Sequence, residues 1–150
     1  MIALIQRVRE ASVRVEGELI GAIELGVLAL IGVTRHDDRS TTERLLQRVL
    51  DYRVFPDAQG RMNLSLRDVR GGLLLVPQFT LAADTRSGNR AGFSTAAEPA
   101  QAALLFEQLL SSARAIHARV EAGRFGAHMQ VALVNDGPVT FWLESHRNAS

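Results

Sequence analysis

The chain has 150 residues, is 47% hydrophobic and carries a formal charge of only +1, which suits one globular domain burying roughly two thirds of its unfolded surface. It contains neither cysteine nor lysine, so disulfides, thiolate catalysis, sulfur-bound zinc, Schiff-base chemistry and a Walker-type phosphate lysine are excluded by inventory. No apolar run approaches the roughly 20 residues of a membrane span, and Met1-Ile2-Ala3-Leu4-Ile5 has neither a charged leader nor a cleavage site, so a soluble, cytoplasmic protein without membrane association is expected.

All 17 basic residues are arginine, a bias that fits either genomic base composition or phosphate recognition, and the small net charge does not choose between them. In chain order, apolar alternation predicts strands over residues 2–8 and 12–16, a tight turn at Glu16-Gly17-Glu18, and strands over 19–24 and 27–33. The last of these is apolar throughout, so both its faces should be covered. Together they read as a β-meander. His36-Asp37-Asp38 reads as a solvated loop, and Ser40-Thr41-Thr42-Glu43 as the capping box of a helix over 41–54 with Leu45, Leu46, Val49 and Leu50 on its apolar stripe.

Asp57-Ala58-Gln59-Gly60 is a turn and 62–66 a short strand. Residues 72–81 form an apolar strand interrupted by Pro77, which argues for an edge position or a bulge. The polar, glycine-containing segment 84–94 is a loop and a candidate wall of any site formed by the residues before it. Pro99 opens a second helix whose stripe is Ala102, Leu105, Phe106, Leu109, Leu110 and Ala113, ending near His117. Strands over 129–134 and 139–143 follow, separated by a turn at Asn135-Asp136-Gly137-Pro138, and residues 145–150 form a short polar, frayed tail beyond a domain of residues 1–144. The expected architecture is a β-rich α/β single domain with two helices packed on one face of its sheets, in α/β/β layers.

The four histidines show no metal-ligand spacing, and neither a G-x-S-x-G elbow nor a Gly-rich phosphate loop is present. Chemistry therefore has to come from less conventional groups. Pro77-Gln78-Phe79-Thr80-Leu81 offers one hydroxyl, Thr80, without an accompanying general base; Gln78 can orient a ligand or pair with a neighbouring strand. Gly137-Pro138 is a plain turn or, with a cis X-Pro bond, a pair of carbonyls aimed the same way and able to hold an ammonium group. Arg7 sits on an alternating strand position that by itself implies exposure, and Phe125 fits either a loop anchor or a stacking partner for a base.

Taken in order, Met1-Ile2-Ala3-Leu4-Ile5-Gln6-Arg7-Val8, Pro77 to Leu81, Gly123-Arg124-Phe125 with Met129-Gln130-Val131, Asn135-Asp136-Gly137-Pro138-Val139-Thr140 and Phe141-Trp142-Leu143 resemble the D-aminoacyl-tRNA deacylases, of the D-tyrosyl-tRNA deacylase type. The resemblance implies a homodimer with two cross-subunit sites, Gly137 and a cis Pro138 of one protomer reaching into a pocket lined by Gln78, Phe79 and Thr80 of the other. It implies aminoacyl-tRNA as partner and substrate, hydrolysis of the ester of a D-amino acid or of glycine on tRNA as a proofreading step in translation, and no cofactor or metal. Gln78, Phe79 and Thr80 take the catalytic positions; Gly137, Pro138, Arg7, Phe125 and Met129 take the substrate-binding ones. One departure stands out: Pro77 occupies the position where that family's motif begins with serine, removing a hydroxyl and a backbone donor. A catalytically impaired nucleic-acid-binding dimer of the same fold is the alternative.

Overall fold

One long strand, β1 (Ile2–Val15), runs through the centre of a computed structural model that describes residues 1–147. The chain reverses at Glu16 and Gly17, both at positive φ (50° and 78°), a conformation that glycine adopts without steric cost. It returns as β2 (Glu18–Ile23) and β3 (Gly26–Gly32). These lie end to end along one edge of β1: Ala11 faces Ile23 and Val8 faces Gly26 in unbroken register. The expected meander is thus one long hairpin interrupted at Glu24-Leu25, a difference that apolar alternation does not encode, because both arrangements alternate identically.

Helix α1 (Arg39–Asp51) starts two residues before the expected position. Asp38 is its cap, accepting from Thr41 N at 2.9 Å while Thr41 Oγ1 accepts from Asp38 N at 2.8 Å; the backbone N–H of Thr41 holds the Asp38 carboxyl below the usual range. Glu43 pairs instead with Arg39 one turn away. Asp37 corrects the solvated-loop reading, since it is buried against the N-terminal ammonium of Met1 at 2.6 Å and accepts from Thr34 N.

The ribbon of β4 (Arg53–Pro56) and β5 (Met62–Ser65) closes through Asp57, whose Oδ1 accepts from Gln59 N and Arg61 N. A four-residue helix that the sequence reading did not anticipate, α2 (Leu66–Val69), follows. β6 (Gly72–Pro77) is parallel to β3, and after α3 (Pro99–Ile116) the short β7 (Val120–Ala122) is parallel to β6.

β8 (Gln130–Glu144) runs antiparallel along the other edge of β1 for its whole length. The expected pair of strands joined by a turn is therefore one strand. Asn135 faces Val8 and Thr140 faces Gln6, so four residues of β8, 136–139, stand opposite Arg7 alone. They leave the ladder as a bulge, which uses the same Asn, Asp and Gly chemistry as a turn without reversing the chain.

The mixed sheet curls until its ends meet: β2 reaches β7, where a Cβ on Gly21 would lie 3.0 Å from the Ala122 carbonyl. One face of the sheet buries Ala3, Ile5, Val27, Ala29, Ile31, Leu73 and Leu75 against the stripes of α1 and α3. The other wraps around Val8, Ala11, Val13, Ile23, Leu28, Leu74 and Val76. An irregularity between Val8 and Glu10 makes this possible, because it switches which residues of β1 face the helices. Ser145 is buried and exchanges backbone hydrogen bonds with Met1 rather than fraying; the rest of the expected tail lies outside the described residues from 148 onward.

Candidate active site

Strand β6 ends at Pro77 because of which neighbour each nitrogen faces. Gln78 N donates to Ile31 O at 2.7 Å, so by alternation the ring nitrogen of Pro77 faces the β7 side, where pairing stops at Leu75 opposite Ala122. Proline is tolerated at this locally unpaired end of an interior strand, which refines the expected edge position. The chain then tightens into a 3₁₀ turn, Phe79–Ala82, instead of continuing as strand. The first N–H groups of such a turn have no partner within it, so Phe79 and Thr80 present main-chain donors at its exposed start.

These residues form one wall of a cleft of about 760 Å³. Gln78 and Phe79 line it, with Phe93 and the entry to α3 beside them and Phe125, His128 and Met129 opposite. Phe79 and Phe93 are 60% and 45% exposed and stack with ring centroids 5.3 Å apart. Thr80 is exposed next to this wall, and its Oγ1 is the acceptor of a hydrogen bond from Gln78 Nε2. The expected wall, segment 84–94, contributes Phe93; it is closed by Asp84 and Gly92 bonding each other and by Arg86 gripping Asp84 through two nitrogens at 2.9 Å. Those hydrogen bonds pull the Asp84 carboxyl down to about 2.

The structure thus brings Gln78, Phe79, Phe125 and Met129 to one cleft and sets Arg7, Gly137 and Pro138 apart from it. Gly137 lies six residues beyond the cleft-lining Val131 on the same strand, about 20 Å at the rise of a strand. The Gly137-Pro138 bond is cis, and both residues are exposed. Arg7 is not on the surface as its strand position implied. Its side chain is only 13% exposed and clamps the bulge, donating to Asp136 O at 2.8 Å and to Val54 O at 2.5 Å.

Sequence reasoning gave Asn135 no role of its own. Its Nδ2 donates to Arg7 O (2.8 Å) and Val139 O (3.1 Å), and its Oδ1 accepts from Val139 N (3.2 Å), so one amide ties both ends of the bulge together. No local spacing announced it, since the bond to Val139 spans four residues rather than the two of an Asx turn. Gly137 has no room for a side chain: a Cβ would lie 2.1 Å from Val139 N.

The molecule is thus a curled α/β domain with an aromatic-lined cleft and, apart from it, a braced backbone bulge. The family model for D-Tyr-tRNA(Tyr) deacylase matches residues 4–144. D-aminoacyl-tRNA deacylases from Thioalkalivibrio sulfidiphilus and Alkalilimnicola ehrlichii are 65% identical over 144 residues and 62% over 150, covering 96% and 100% of this chain and 97% and 100% of theirs. A solved c-Myc DNA unwinding element binding protein superposes with a TM-score of 0.93 at 38% identity, covering 98% of this chain and 100% of its own. That of a probable eukaryotic D-amino acid tRNA deacylase shares the fold at a TM-score of 0.81 and 16% identity, covering 95% and 98%. The chain belongs to the D-Tyr-tRNA(Tyr) deacylase family.

Proposed function

We infer that this chain is a hydrolase that cleaves the ester of D-aminoacyl-tRNA, releasing the D-amino acid and reusable tRNA. The observation that carries this reading is the likeness to D-aminoacyl-tRNA deacylases across residues 4–144, at more than 60% identity. The finer steps are our proposal. An aminoacyl ester is already activated, so its hydrolysis needs orientation and support for the developing oxyanion more than a strong base. Phe79 N–H is the donor assigned to the ester oxygen, with Gln78 and Thr80 completing that wall. Thr80 Oγ1 accepts from Gln78 and has no general base bonded to it among the described residues, so in this scheme the neighbouring ribose 2′-hydroxyl of the substrate, rather than Thr80, assists the attack. No cofactor or metal enters this scheme.

The substrate ammonium is held by the carbonyls of Gly137 and Pro138, which by distance belong to a second copy of the chain. Arg7 braces that segment, while Phe125 and Met129 shape the wall across from Phe79. Two observations support a homodimer. β8 pairs with β1 along one edge only, leaving a 15-residue strand open on the other, the kind of edge that templates pairing with another chain. The same strand exposes Val131, Val134 and Trp142 (36%, 48% and 50%). With ammonium and ester fixed by rigid backbone, an L side chain collides with the main chain whereas a D side chain, or the hydrogen of glycine, does not. A place in translation in the cytoplasm follows from the substrate.

A second reading, a nucleic-acid-binding dimer without turnover, is favoured by the likeness to the DNA unwinding element binding protein and by Pro77. Time courses with matched D- and L-charged tRNA separate the two. D-esters should be cleaved at least a hundredfold faster than L-esters; tight binding with both esters left intact would leave only the second reading. Light scattering at assay concentration should give twice the chain mass, and a fully active monomer would remove the shared site.

A further inference from the structure

Seventeen arginines are unevenly engaged. Arg7, Arg39, Arg67 and Arg86, for example, are tied to carboxylates. The guanidinium groups of Arg114 and Arg124 make no hydrogen bond or ion pair among the described residues, and both line one recess of about 330 Å³. Arg114 comes from the last turn of α3 and Arg124 from the segment after β7, two elements that the fold brings face to face. The recess floor is apolar, with Ile20, Phe106 and Leu110, and Glu107 is its only carboxylate. Phe125 lines both this recess and the cleft.

A polymer leaving the cleft past Phe125 therefore enters a recess lined by two unengaged guanidinium groups. We propose that this recess is the exit track for the single-stranded 3′ end of the substrate RNA, with Arg114 and Arg124 holding phosphates next to the nucleotide bound in the cleft. The proposal rests on the hydrolase reading above and adds a partner surface to it. Guanidinium groups suit this task because they match phosphate oxygens in a planar fork and remain charged at every relevant pH. The apolar floor accepts sugar and base faces. Glu107 works against the track.

The test compares wild type with the Arg114→Gln/Arg124→Gln double variant on D-aminoacyl-tRNA and on D-aminoacyl-adenosine, which has the reacting ester but no phosphate chain. With charged tRNA the double variant should raise KM about tenfold at low salt, move kcat less than twofold, and flatten the dependence of log KM on log salt by roughly 1 to 1.5, as loss of two single-strand phosphate contacts requires. With the adenosine ester its kinetics should match wild type within about twofold, and Glu107→Gln should lower KM for tRNA. An unchanged salt slope would overturn the track. So would equal losses on both substrates, which would mean that the cleft itself was disturbed. Titration with uncharged tRNA requires no turnover, so the change in salt slope decides the track even if wild type cleaves neither ester and the hydrolase reading fails.

Discussion

The cleft beside Phe79 and the bulge at Gly137 are held in opposite ways. The cleft wall is a short 3₁₀ turn with exposed aromatics, one side-chain bond between Gln78 and Thr80, and another from Thr95 Oγ1 to the Ala82 carbonyl at its far end. The bulge is braced from every side: Arg7 from β1, Asn135 across its base, and Val54 through Arg7. One surface is left free to receive a ligand, and the other is prevented from yielding. In the proposed scheme, selection by exclusion depends on the second, because a clash discriminates only as well as the backbone that delivers it resists displacement.

The sharpest way to break this contrast is Gly137→Ala. The added methyl meets Val139 N inside the brace, so the bulge must move, and kcat/KM for D-aminoacyl-tRNA should fall a hundredfold or more, about 3 kcal/mol of transition-state stabilisation, with an unchanged circular dichroism spectrum. Asn135→Ala comes next. Freeing three bonds at the base of the bulge should cost about 1–3 kcal/mol of stability in urea and lower the D-over-L rate ratio about tenfold; a stability loss with the ratio intact would confine Asn135 to folding.

Thr80→Ala probes the compliant side and should lower single-turnover rates less than tenfold. Loss of several powers of ten would make its hydroxyl a reacting group instead. The smallest effect concerns the 84–92 loop. Asp84 has its carboxyl depressed to about 2, against about 3.9 when unfolded, so the Arg86 bond contributes fully above pH 4 and is lost as pH falls through 2. Limited proteolysis by an acid-active protease should detect the loop opening in that window before the domain unfolds.

Apolar periodicity made the longer strands and both long helices legible, though not the short β4 and β7, and the turn at Asp57 could be read from its residues alone. What it did not convey were events that depend on a distant partner. Asp37 looked solvated because nothing in the sequence announces the Met1 ammonium it meets. Ser40 and Glu43 spell a capping box, yet Asp38 and Thr41 spell a competing one two residues earlier and carry the helix start. Arg7 seemed exposed because a strand position gives no warning of a carbonyl-rich bulge opposite it. Of the site, the two motifs were legible, and their separation within one protomer is what the resemblance implied; the bulge that carries the second motif was not, because Asn-Asp-Gly-Pro has the same composition whether it reverses a strand or bulges from it.

The pairing of β1 with β8 has a consequence for biosynthesis. Ile2 faces Glu144 across that ladder, so β1 waits for a strand made more than a hundred residues later, and closing so large a loop is among the slower steps available to a chain. Until then an apolar edge stays open to strangers, the hazard that chaperones exist to cover. The segment that completes the architecture also carries the Gly137-Pro138 bulge, so a chain cut short before it lacks the part to which the proposed discrimination between hands is assigned.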